Sequence, residues 1–292
     1  MAWPRTMGQR DMATSSHRNV LCMATSRTFA NMELPMNFLI LKATLTPLLI
    51  AVATLAARRW GPAVGGWVAG LPLTSGPVSV FLAVEQAPTF AAHAATGTLL
   101  GLVAVAAFCV VYARSATGAA WGGPTLRGLG LYLAVTWVVS LPSVSLGAAT
   151  VLVLVLLWVA LKALGAPPGA ARTVPAPWWD LPLRMVTATA IVMAITGAAS
   201  ALGPKWSGLL SPFPVFACVM AVFSHQHGGA GAAHRLLHGV IVGSFAFAAF
   251  FVVVGLVVEH VSLVLAYILA TSVALAVNGF SLVALVRHQR SS

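Results

Sequence analysis

Charge is what this sequence holds least of: Asp, Glu, Lys and Arg make up 7% of 292 residues, and only Asp11, Glu33, Glu85, Asp180 and Glu259 are acidic. A soluble domain carries about a quarter charged residues on its solvated surface, so so low a share excludes that class. The shortage of acids also removes the paired intramembrane carboxylates that acid–base catalysis would use. HExxH, GxSxG and phosphate-loop patterns are absent as well, so neither an enzyme nor a bound cofactor is expected. Cysteine is nearly missing too. Cys22, Cys109 and Cys218 follow no CxxC or paired spacing, which excludes a disulfide framework and a thiolate metal site and leaves them as packing residues.

What the chain does have is apolar length, with 59% hydrophobic residues and a mean hydropathy of +0.94. Runs long enough to cross about 30 Å of hydrocarbon fall near 38–57, 63–84, 91–113, 126–142, 146–164, 182–202, 206–224, 236–257 and 261–287. Asn278 and Gly279 divide the last run into two short ones if they break it. The expected fold is therefore all-α, a polytopic transmembrane bundle of nine or ten spans whose first partner is the lipid bilayer. A formal net charge of +11 would suggest nucleic acid in a soluble protein. Here the basic residues stand at span ends and in short loops, where they orient the chain, so no nucleic-acid partner is expected. Arg58, Arg59, Arg114, Arg127, Lys162, Arg172 and Arg184 all flank odd-numbered loops, which places those loops in the cytoplasm and residue 37 outside. Residues 1–36 read as a disordered N-terminal tail, or as sequence upstream of a true start at Met36.

The chain also contains itself twice. Residues 39–112 align without a gap on 181–254 at an offset of 142, and 20 of the 74 pairs are identical. Composition alone would give about one match in ten. The identities include Gly61 with Gly203, Pro62 with Pro204, Gly66 with Gly208, Pro72 with Pro214, Phe81 with Phe223, Gly97 with Gly239, Gly101 with Gly243 and Phe108 with Phe250. The organisation expected is a first membrane repeat over 37–165, a linker over 166–180 and a second repeat over 181–292. Five spans separate the two starts, so the second copy enters the membrane from the opposite side: the repeats have inverted topology.

The second span of each copy is where helical pattern is most disturbed. Pro72 and Pro77 enclose Thr74, Ser75 and Gly76, and Pro212 and Pro214 follow Ser211. Proline removes a backbone donor and clashes with the preceding turn, so freed carbonyls need other partners. Paired broken helices in two repeats point to a substrate site, for which Pro72, Thr74, Ser75, Pro77, Phe81, Ser211, Pro214, Cys218 and Phe223 are the candidates. A kink filled by Ser and Thr hydroxyls is the plain alternative. Glu85, with His93 eight residues on, is a candidate for carrying a coupling proton, or else a residue of an external loop. Its equivalent is His227, within a run where His225, His227, His234 and His238 form HxH and HxxxH pairs; the spacing suits Zn or Cu, although no Cys or carboxylate stands beside them. Gly97/Gly101 and Gly239/Gly243 are GxxxG pairs, read as close helix crossings. Lys42 and Arg184 are equivalent and read as headgroup anchors.

The stretch from Leu39 to Glu85, with an early Lys42, the basic turn Arg58-Arg59 and Gly70-Leu71-Pro72-Leu73, resembles the start of small GlpM-like bacterial inner-membrane proteins. The second copy departs from that motif, with Pro212-Phe213-Pro214-Val215. The resemblance implies a multi-pass protein of the bacterial inner membrane and brings no chemistry with it. The five-plus-five plan also resembles the drug/metabolite transporter superfamily in architecture. A secondary transporter or permease for a small neutral or amphipathic solute is expected. The alternatives are a non-transporting membrane protein that supports assembly or regulation of a partner, and a metal-ion transporter using the His225–His238 cluster. A homodimer is compatible with each.

Overall fold

The computed structural model describes residues 44–73, 75–85, 87–142, 144–165, 177–202 and 213–291; of these, the side chains of 82, 85, 196–202 and 281–291 lie outside the description. The chain divides into Met1–Thr44 and Leu45–Ser292, and everything below concerns the second unit. Among the described residues it is helical, with no strand. Among the described residues four helices are long and apolar enough to cross a membrane, so the chain is a helical membrane protein by length and composition.

Residues 45–60 form α1, and a positive φ of 96° at Gly61 turns the chain into α2 (Pro62–Ala69), with Pro62 in the first turn where its missing N–H costs nothing. Gly70 caps α2, and Pro72 prevents it from continuing. Helix resumes as α3 (Ser75–Glu85), so the second apolar run is broken where its prolines lie. Ala87, at φ 142°, opens α4 (Pro88–Ser115), whose 28 residues reach about 42 Å. Next come α5 (Gly122–Val139) and α6 (Leu146–Leu164), the latter capped by the Ser145 hydroxyl, which accepts from the Ala148 N–H. After these, α7 (Asp180–Leu202) is followed by α8 (Val215–Val257) and α9 (Leu263–Ser291).

Although 43 residues long, α8 is not one span. Gly229 sits at φ 71°, ψ −175°, outside helical space. Met220, before the break, meets Thr54. A Cβ on Gly65 would touch Ala53, beside Thr54, and one on Gly66 would fall on the Leu236 carbonyl. Met220 and Leu236 therefore lie at one level, and the chain reverses at Gly229.

The tightest crossing joins α2 to the second part of α8. A Cβ at Gly66 or Gly70 would land on the carbonyls of Leu236 or Val240, and one at Gly239 or Gly243 on those of Ala63 or Trp67. Two GxxxG ladders thus interlock backbone to backbone, as only glycine permits. Gly97 behaves differently from its equivalent. A Cβ there meets nothing within 4 Å, so among the described residues it makes no close crossing.

Candidate functional site

Contacts sort the helix ends into two groups. Arg58 reaches Asp180, Arg114 donates to the Ala163 carbonyl, His234 pairs with the Leu164 carbonyl, and the Tyr112 hydroxyl lies 3.3 Å from His225 Nδ1. These link the ends of α1, α4, α6 and the break in α8 to the start of α7. Pro142, Ser145, Gly255 and His93 share a cleft at the other end. Arg58, Arg59, Arg114, Lys162, Arg184 and Arg235 all belong to the first group of ends, which is here called the basic end.

At that end one carboxylate collects three helices. Asp180 is fully buried; its Oδ2 accepts from Arg58 Nη2 at 2.9 Å, and both its oxygens lie 3.0 Å from Arg184 Nε, one turn along α7. His227 Nδ1 stands 3.5 Å from Oδ1 and 2.9 Å from the Phe223 carbonyl; since a carbonyl only accepts, that nitrogen carries the proton. The Arg184 guanidinium lies over the Phe223 ring at 5.0 Å, with Nη1 3.7 Å from the Met220 sulfur, while Phe223 and Trp179 flank the His227 ring. A buried carboxylate persists only when paired and hydrogen-bonded, and removing one partner of such a pair costs about 3–5 kcal/mol.

This cluster corrects one expectation. Arg184 does not reach for headgroups; it is buried against Asp180. The signal was present in the sequence as an Asp and an Arg four residues apart at a helix start. Nothing local announced Arg58, which lies 122 residues from Asp180.

The histidines do not converge as a metal site. His225 faces Tyr112, His227 faces Asp180 and the Phe223 carbonyl, and His234 faces the Leu164 carbonyl. Among the described residues no group of three or more His, Cys, Asp or Glu is gathered. The reason is Gly229: it reverses the chain between the HxH pair and the HxxxH pair, which the sequence had joined in one run.

Residues flanking Pro72 and Pro214 meet around one space; Pro212 and the residues just before it lie outside the described residues. Leu71 and Leu73, on either side of Pro72, line one small space with Phe216, two residues beyond Pro214; Leu49, Val68 and Ala69 complete the wall. Its volume is about 20 Å³, room for one water. Pro72, Ser75 and Pro77 are half-buried, and Pro214 and Cys218 are buried. Phe81 is exposed, whereas its equivalent Phe223 lies beneath Arg184. Thr74 and Ser211 lie outside the described residues, as does Lys42.

His93 lines a wider cleft of about 460 Å³ at the end opposite Asp180, with Ala92, Thr96, Gly97, Leu100, Pro142, Val144, Ser145, Leu146 and Gly255. Glu85's side chain lies outside the described residues, so its expected partnership with His93 does too.

No family model matches the chain, and neither a curated protein nor a solved structure matches it.

Proposed function

We propose that this chain is a secondary transporter or permease of the bacterial inner membrane, moving a small neutral or amphipathic solute between two repeats of inverted topology. The observation that carries this reading is the meeting of the residues flanking Pro72 with Phe216, two residues beyond Pro214, around one space. The backbone supports the duplication. Ala87 and Gly229 are 142 residues apart, both at positive φ with extended ψ, and the helices they open end at Ser115 and Val257, also 142 apart.

Packing between the copies is reciprocal. The α2–α3 span lies on the second part of α8, through Gly66, Gly70 and Gly76, while the first part of α8 meets α4 where His225 faces Tyr112. At about 460 Å³ the cleft beside His93 falls in the size range of small-ligand sites, and Thr96 and Ser145 add hydroxyls to its otherwise largely apolar wall. The basic end is closed around Asp180. Together these features read as a transporter open on one side, with the joined breaks one water wide in this conformation.

Inversion is tested with cysteines at two exposed equivalent positions, Val84→Cys and Gln226→Cys, in a background without native cysteine. A membrane-impermeant maleimide added to intact cells should label one of them, and the other only after permeabilisation. Labelling of both from the same side would overturn the inverted arrangement. Metabolite and drug profiling of cells with and without the gene then identifies the solute.

A further inference from the structure

We infer that Arg58 and Asp180 form a releasable latch between the two copies, holding the basic end of the bundle closed. The inference rests on the transporter reading above and adds the device that sets its resting state.

Asp180 has two kinds of partner. Arg184 belongs to the same helix, one turn away, and is buried with its guanidinium against Phe223 and Met220, so this arm stays with α7 whatever its neighbours do. Arg58 comes from α1, in the first copy, and its side chain keeps 35% of its surface accessible. Water can therefore replace this arm without uncovering the others. His227 is the remaining polar neighbour, 3.5 Å away on the first part of α8. Releasing Arg58 thus removes the ion pair that ties α1 to α7 but leaves the carboxylate paired with Arg184.

The latch has no counterpart across the pseudo-twofold. An offset of 142 places Ser200 where Arg58 would recur and Phe38 where Asp180 would recur, and neither can build the same ion pair. A transporter whose halves exchange conformations would meet this attraction in only one of its two states. The state with the basic end shut is favoured, and the cleft beside His93 lies at the opposite end.

Cys218 is a native reporter. It is buried on the first part of α8, about one and a half turns in from Phe223 and two and a half from His227. The test uses the full chain in inside-out membrane vesicles, with Cys22→Ser and Cys109→Ser, and follows modification of Cys218 by a small charged methanethiosulfonate added at the basic face. Arg58→Gln is expected to speed the reaction at least tenfold. Arg58→Lys, which keeps the charge, should stay near the unsubstituted rate, as should Arg59→Gln, which removes a charge one residue away. Cys218 equally protected in Arg58→Gln and in the parent would overturn the latch. Should Arg58→Gln fail to accumulate, the same reading is taken from Asp180→Glu, whose longer carboxylate crowds the pair; protection unchanged there also overturns it. A faster reaction in Arg58→Gln, with solute profiles that do not depend on the gene, would keep the latch and remove the transport reading.

Discussion

At the basic end, Arg58, Asp180, Arg184 and His227 draw α1, α7 and α8 around one buried carboxylate, whereas at the opposite end His93, Thr96 and Ser145 border a cleft of about 460 Å³ between α4, α6 and α8. The glycine ladders differ in the same way. Gly239 is locked into α2, while its counterpart Gly97 faces open space beside that cleft. Among the described residues, then, one end is drawn around a buried carboxylate and the other carries a cleft. Residues at equivalent positions differ in what they pack against, and it is the departures from the repeat, Asp180 above all, that make the ends unequal.

The largest expected effect comes from Asp180→Asn. The substitution leaves Arg184 buried without its counter-charge and should cost about 3–5 kcal/mol of stability in detergent unfolding. At the open end, His93→Ala should stay within about 0.5 kcal/mol of the parent. Equal losses at the two positions would erase the contrast.

A step smaller is the glycine comparison. Gly239→Ala drives a Cβ into the Ala63 carbonyl and should cost about 3 kcal/mol, measured in the same unfolding assay. Gly97→Ala meets nothing within 4 Å and should be neutral or slightly stabilising through better helix propensity. If both were tolerated, the interlocked crossing of α2 and α8 would be wrong.

The smallest effect on stability, and the most informative for transport, is expected from Pro72→Ala combined with Pro214→Ala. The pair should change uptake or export of the responding solute while expression stays intact. Unchanged transport by the double variant would separate the joined breaks from the solute path.

Much of this was legible in the residues. The apolar runs, the break around Pro72 and the gathering of Arg and Lys at alternate loops follow from local chemistry: hydrocarbon length, a missing donor and the charge asymmetry of membranes. The Asp180–Arg184 pairing was visible as an i,i+4 spacing but was hidden by placing Asp180 in a linker. The histidine run misled because sequence proximity does not survive a reversal. Gly229 stood in view as one of two adjacent glycines, yet its positive φ is chosen by the surrounding packing.

By itself the sequence determined a helical membrane protein with a break at Pro72, because those properties depend on composition and on contacts within a turn or two. Tertiary structure alone decided that Arg58 would find Asp180 122 residues away, that Gly66 and Gly70 would interlock with Gly239 and Gly243, and that Gly97 would not take part in such a crossing. Helices in lipid gain little from hiding apolar surface from one another, so their partners are chosen by close backbone fit and by the need to neutralise a buried charge. Both depend on where distant segments meet.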